Sequence, residues 1–217
     1  MSRRDADLGR AKATRAPRRR FIIYCEGENT EPGYLVALQR SFGRDALIEL
    51  EVIPTGHPMP VAERAATRAK TEGVARGSRT RKDSFEEGDQ IWAVFDRDEH
   101  PNFDEAVALC ASKSVRVGRS NPCFEVWLIL HEEDYHRPDD HHGVCRHLRE
   151  LRPEYDPHGA KVCNWSELIA RVEEAERRAA RQLEQRAQQG APHGRPSTTV
   201  GHLTAAIRAA AEAAKRR

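Results

Sequence analysis

The sequence predicts an α/β fold: a four-stranded parallel sheet flanked by helices, followed by a mainly helical C-terminal elaboration. Three observations carry that reading. Short β-branched and aromatic runs alternate with helix-length amphipathic stretches from residue 20 to about 118. The strongest runs, Phe21–Cys25 and Ile91–Phe95, are continuously apolar, as in strands covered on both faces. Beyond residue 132 strand-like runs give way to charged helical segments. The expected organisation is a basic arm over 1–19, an α/β core over 20–132 and a helical elaboration over 133–217.

Phe21–Cys25 reads as the first strand and runs into Glu26-Gly27-Glu28-Asn29-Thr30-Glu31-Pro32. Thr30 suits a helix N-cap, with Glu31 and Pro32 in the first turn and Gly43 as the stop. Ala46–Ile53 is the second strand, and 59–75 an alanine-rich helix. Residues 76–89 form a polar, basic loop. Ile91–Phe95 is the third strand, ending in Asp96-Arg97-Asp98. A short helix capped by Asn102 or Asp104 leads to a fourth strand at 115–117. Asn121 then reads as the N-cap, and Pro122 as the first residue, of an apolar helix holding one carboxylate, Glu125. Helices are expected over 139–151 and from Ser166 to Gln188, with a last one opening at Ser197 or Thr198.

The five cysteines are odd in number and widely spaced. They form neither a disulfide framework nor a CxxC zinc pair and read as reduced thiols. Cys25 and Cys123 read as core thiols rather than nucleophiles. His131, His136, His141, His142, His147 and His158 crowd together, and His141-His142 beside Asp139-Asp140 offer metal-ligand types without a structural-zinc spacing. No apolar run approaches a membrane span and no apolar signal core follows the basic N-terminus, so a cytoplasmic location without membrane contact is expected. The net charge is +2, but residues 1–20 carry eight Arg/Lys against two Asp. Arg18, Arg19 and Arg20, the loop cations Arg79, Arg81 and Lys82, and Arg97 and Arg119 are candidate nucleic-acid contacts.

The acidic residues suggest chemistry. Glu26, Asp96 with Asp98, and Glu125 each follow a strand, at the carboxyl edge where open α/β sheets bind ligands. Glu31 lies one helical turn on. Carboxylates gathered there repel unless a cation or proton is shared. Mg2+ or Mn2+ suits all-oxygen donors, whereas a solvated acidic turn is the bland alternative. One or two such ions support phosphodiester hydrolysis or another phosphoryl reaction, on a polymer or on a nucleotide. Lys161, in the loop 156–161, suits a scissile phosphate, and His100 reads as a loop residue.

Four blocks resemble the RloB-like family: CEGENTEP closing Phe21–Pro32, VFDRDEH (94–100), SNPCFEVWLILH (120–131) and Arg195-Pro196-Ser197-Thr198-Thr199-Val200. The first block also resembles the opening motif of toprim-type proteins. The resemblance implies a toprim-like catalytic core in which Glu26, Asp96 and Asp98 serve metal-dependent phosphodiester chemistry. The toprim domains of overcoming-lysogenisation-defect nucleases add the acidic residue of the TE step, here Glu31. Glu125 stands at a family-typical position. RloB-like proteins are associated with bacterial restriction loci and phage defence, often beside a partner ATPase. A related defence protein implies a nuclease acting on transfer RNA. No GxxxxGK[ST] is present, so an ATPase would be a separate chain. The competing expectation is an inactive nucleic-acid-binding or regulatory partner of that ATPase. The helices over 166–188 and 197–214 offer a surface for homo-oligomerisation.

Overall fold

A computed structural model of the protein describes residues 19–43, 46–53, 57–73, 89–97, 100–156, 159 and 161–216. In chain order the elements are β1 (Arg20–Cys25), α1 (Thr30–Phe42), β2 (Leu47–Val52), α2 (Pro58–Thr71), β3 (Gln90–Asp96), α3 (Phe103–Ser112), β4 (Arg116–Asn121), α4 (Glu125–Ile129), α5 (His141–Leu151), α6 (Trp165–Ala170), α7 (Val172–Gln188), β5 (Ser197–Thr198) and α8 (Val200–Lys215). The sheet order is β2-β1-β3-β4-β5. The first four strands are parallel, and β5 pairs antiparallel to β4 through Ser120–Thr198 and Asn121–Ser197. The sheet is therefore mixed and five-stranded, not the four-stranded parallel one expected.

Alternation along β1 explains the layers. Phe21, Ile23 and Cys25 face one core, together with α1, α4 and the C-terminal helices. Ile22 and Tyr24 face a second core built by α2 and α3. Both faces are covered, so both sets of side chains are apolar. Residues on either side of position 132 share the first core: Trp127, Leu148, Leu168, Ala179, Leu203 and Ile207 belong to one cluster with Ile23.

Three boundaries differ from expectation. β4 extends to Asn121, so Asn121 is a strand residue and does not cap a helix. Its polar sequence hides the strand. At this edge Ser120 Oγ meets Thr198 Oγ1 at 3.1 Å, and Asn121 Nδ2 donates to the His193 carbonyl at 2.8 Å. Hydrogen bonds from β5 thus replace the apolar pattern. The stretch 166–188 is broken at Arg171, allowing α6 to pack on α1 and α7 on α8. Ser197 and Thr198 form the edge strand, and the last helix opens at Val200. Gly201 sits where α8 crosses the core: an added Cβ would lie 3.3 Å from Trp127 Cζ3 and 3.4 Å from Ala179 Cβ.

The chain leaves β1 for β2 on one side, while β3 lies on the other. The carboxyl ends of β1 and β3 therefore flank a topological switch point, where a crevice opens.

Candidate metal centre

The switch point places Glu26 directly after β1 beside Asp96, the last residue of β3. Glu26 Oε2 accepts from the Asp96 backbone N–H at 3.4 Å. The first turn of α1 brings Glu31 over Gly27, and the turn after β4 brings Glu125, the first residue of α4. Glu26, Glu31 and Glu125 are 8%, 7% and 3% exposed. With Asp96, His100, His141 and Lys161 they line one cleft of about 430 Å³. Asp98 lies outside the described residues.

Each carboxylate is held differently. Glu125 Oε1 accepts from Tyr155 Oη at 2.5 Å and from Thr30 Oγ1 at 3.4 Å. Asp96 Oδ2 accepts from the Phe124 backbone N–H at 3.0 Å, whereas its Oδ1 is shut off from solvent with no hydrogen-bond donor among the described residues. Glu31 folds so closely over Gly27 that a Cβ there would lie 1.8 Å from its Oε2. Glycine is required by this approach. His100 Nε2 stands 3.7 Å from Glu26 Oε1, and His57 Nδ1 lies 3.4 Å from His100 Nδ1. Lys161 enters the cleft from a residue with φ of 50°.

This crowding raises proton affinity. Burial, then the neighbouring Glu125 charge, pushes the Glu31 carboxyl up to about 7. Lys161 acts weakly in the opposite direction. Asp96 is pushed well above the usual carboxylate range by burial and then by Glu31 and Glu125. An enclosed, unpartnered Asp96 oxygen, the glycine cradle under Glu31 and an oxygen-only acidic donor set fit a hard divalent cation. Glu26, Glu31, Asp96 and Glu125 are the residues that would hold it.

A second ligand group adjoins the first. Among the described residues, Cys123, Glu125 and Cys145 bring their ligand atoms within 4.8 Å of one another. The two thiols interact: Cys145 is lowered, first by its hydrogen bond with Cys123 and also by one with His141, while burial raises Cys123. Cys25 is buried and its thiol is pushed up, as suits a core residue.

The basic candidates disperse. Arg20 is no arm residue. It is buried in β1 at the opposite edge, 3.0 Å from Glu72, 3.6 Å from Glu49 and 3.7 Å from Asp89. Burial there is tolerable because acidic partners surround it. Arg19 is exposed at that same edge. Arg97 and Arg119 lie on the sheet face of Phe95 and Phe103, outside the residues that line the cleft. Arg97 stacks 5.6 Å over Phe103, and Arg119 is lowered by burial and then by Arg97. Arg18, Arg79, Arg81 and Lys82 lie outside the described residues. Of the histidines, His131 is core: its Nδ1–H donates to the Trp127 carbonyl at 2.9 Å, Tyr34 Oη donates to its Nε2 at 3.1 Å, and burial lowers it to about 3. His147 pairs with Glu133 at 2.7 Å. His141 alone of the histidine-rich region reaches the cleft among the described residues, and His158 lies outside them. Tyr155, Thr30 and Cys145 were not legible as site residues, because no local pattern marks a side chain arriving from a distant loop or helix.

The profile of the family described as RloB-like protein matches residues 21–207. The chain belongs to the RloB-like family. For this RloB-like chain, comparisons with curated proteins and with solved structures found no match. The mostly parallel sheet with carboxylates at its switch point is consistent with a toprim-related fold. No helix of the described residues is long and apolar enough to cross a membrane.

Proposed function

We propose that this RloB-like protein is a divalent-metal-dependent nuclease that hydrolyses phosphodiester bonds in RNA, transfer RNA being one candidate, in bacterial defence against phage. The observation that supports it most is the enclosed Asp96 Oδ1, left without a donor among Glu26, Glu31 and Glu125. A buried acceptor of this kind is costly unless a cation meets it. When bound, Mg2+ or Mn2+ supplies an activated water and offsets charge on the leaving oxygen. Asp98 is proposed as a further ligand, since it follows Asp96 by two residues.

The chain's own residues supply the rest. Lys161 reaches the acidic cleft and suits neutralising a bridging phosphate. Arg97 and Arg119 are proposed as cations for flanking phosphates, and Arg18, Arg19, Arg79, Arg81 and Lys82 as further phosphate contacts. Energy-dependent sensing, where it operates, belongs to a separate ATPase, and a cytoplasmic setting follows from that role. The proposed division into an arm (1–19), a catalytic core (20–132) and a helical elaboration (133–217) assigns the carboxylates to the middle part and Lys161 to the last.

The test incubates purified protein with transfer RNA, single-stranded RNA and DNA, with Mg2+, Mn2+ or EDTA. Metal-dependent cleavage that falls by about 100-fold or more in Asp96→Ala supports the reading. Salt-sensitive RNA binding without turnover in any metal would favour the regulatory-partner reading instead. Cleavage that persists in Asp96→Ala would place the chemistry elsewhere.

A further inference from the structure

We propose that Cys123, Glu125 and Cys145, with His141 as the fourth donor, form an adjoining site for one thiophilic divalent cation of the zinc class. The three ligand atoms already lie within 4.8 Å of one another. Tetrahedral zinc, with a Zn–S distance of about 2.3 Å, places two sulfurs about 3.8 Å apart, so only small side-chain rotations close the site. His141 lines the same cleft as Glu125 and lowers the Cys145 thiol; its ring nitrogens lie outside the group of atoms within 4.8 Å, so the imidazole has to turn in to fill the open corner.

Burial and chemistry favour a metal over a packed thiol pair. Cys123 is fully enclosed, Cys145 4% exposed and Glu125 3% exposed. Glu125 Oε1 is engaged by Tyr155 and Thr30, leaving the other carboxylate oxygen for a metal. Burying a carboxylate against two soft sulfur donors is costly without a cation, and a dication shared among them offsets that cost. Sulfur donors set this site apart from its neighbour. Mg2+ and Mn2+ prefer the oxygen donors of Glu26, Glu31, Asp96 and Glu125, zinc prefers thiolate and imidazole, and Glu125 is the one ligand the two sites share.

The donors come from two parts of the chain. Cys123 and Glu125 belong to the turn after β4 and the start of α4, whereas Cys145 and His141 sit on α5. A bound ion would therefore tie the helical elaboration to the core beside the acidic cleft. No sequence spacing announces it, because the cysteines are 22 positions apart (145 minus 123) and neither belongs to a CxxC pair. The proposal is independent of nuclease activity, and its readout is spectroscopic.

The experiment strips the full chain with chelator, reduces it, and titrates it with Co2+ and then Zn2+. The expected result is thiolate-to-cobalt charge transfer and intense tetrahedral bands that saturate at one Co2+ per chain and are displaced by one equivalent of Zn2+. Cys145→Ser removes the charge-transfer band or halves it and weakens zinc binding at least tenfold, while retaining the secondary structure. Asp96→Ala leaves the band intact, which distinguishes this site from the hard-cation one. Because Cys123 is deep in the core, His141→Ala is the second variant, expected to shift the ligand-field bands with the thiolate band kept. Octahedral bands with no thiolate charge transfer in the unmutated chain, or a charge-transfer band unchanged in Cys145→Ser, would overturn the proposal.

Discussion

Gly27 and Glu31 show how one missing methyl shapes the cleft. Only a residue without a Cβ lets the Glu31 carboxylate lie against the backbone, so Gly27→Ala should drive it out. Mn2+ affinity, followed by electron paramagnetic resonance, is expected to fall about tenfold while the far-ultraviolet spectrum stays unchanged. The proton balance follows from the same crowding. Glu31 is raised to about 7 from an ordinary 4.5, and Asp96 is raised too. In the metal-free protein the folded state thus holds protons that the unfolded chain has released. That stabilisation is complete at acid pH and is lost as pH climbs from about 4.5 to 7. Cation binding must expel those protons. Apparent Mn2+ affinity should therefore rise with pH up to about 7, by about tenfold per unit for each proton released. Calorimetry in buffers of different ionisation enthalpy measures that release; a pH-independent affinity over pH 5–7 would refute it.

Among the elements, the edge pair β4 and β5 converts a polar motif into structure. Thr199 Oγ1 accepts from Arg119 N–H at 3.0 Å and donates to the Val117 carbonyl at 3.0 Å, while Thr199 N–H donates to the Arg119 carbonyl at 2.8 Å. Thr199→Val keeps the shape and strands a donor and an acceptor, so it should cost about 2 kcal/mol in urea unfolding. The opposite edge is held by charge. Arg20 joins β1 to β2, to the end of α2 and to the residue before β3, through Glu49, Glu72 and Asp89. Arg20→Ala would leave Glu72 with Arg68 alone and Asp89 with the backbone N–H of residue 20, and should destabilise by about 2 kcal/mol. Because Arg20 sits at the amino ends of the strands, RNA affinity at the cleft should not change. A salt-dependent loss of RNA binding without loss of stability would return Arg20 to the nucleic-acid contacts.

For the molecule as a whole, the first hydrophobic cluster decides cooperativity. Leu203 of α8 packs into the same core as Ile23 of β1 and Trp127 of α4. Leu203→Ala should lower stability by about 3 kcal/mol and leave a single unfolding transition followed equally by near- and far-ultraviolet dichroism. Two separated transitions would show that the helical elaboration folds apart from the sheet. The charge map has the same global character. An acidic cleft cannot attract a phosphate polymer by itself. Metal binding is thus expected to precede RNA binding.

The strands β1 and β3, the carboxylates that follow them and the helical turn from Thr30 to Glu31 could be read along the chain, since a continuous apolar run ended by acids is a local signal. The family was legible for a similar reason: its blocks are contiguous residues. The length of β4, the existence of β5 and the break at Arg171 could not be read. Their stability comes from partners about 80 residues away or from helix packing that no local period encodes. Sequence alone therefore determined which acids end strands. The tertiary structure decided that Glu26, Glu31, Asp96 and Glu125 share one cleft, that Arg20 faces away from it, and that Cys123 and Cys145 meet, because convergence across a sheet edge depends on strand order rather than on spacing in the chain.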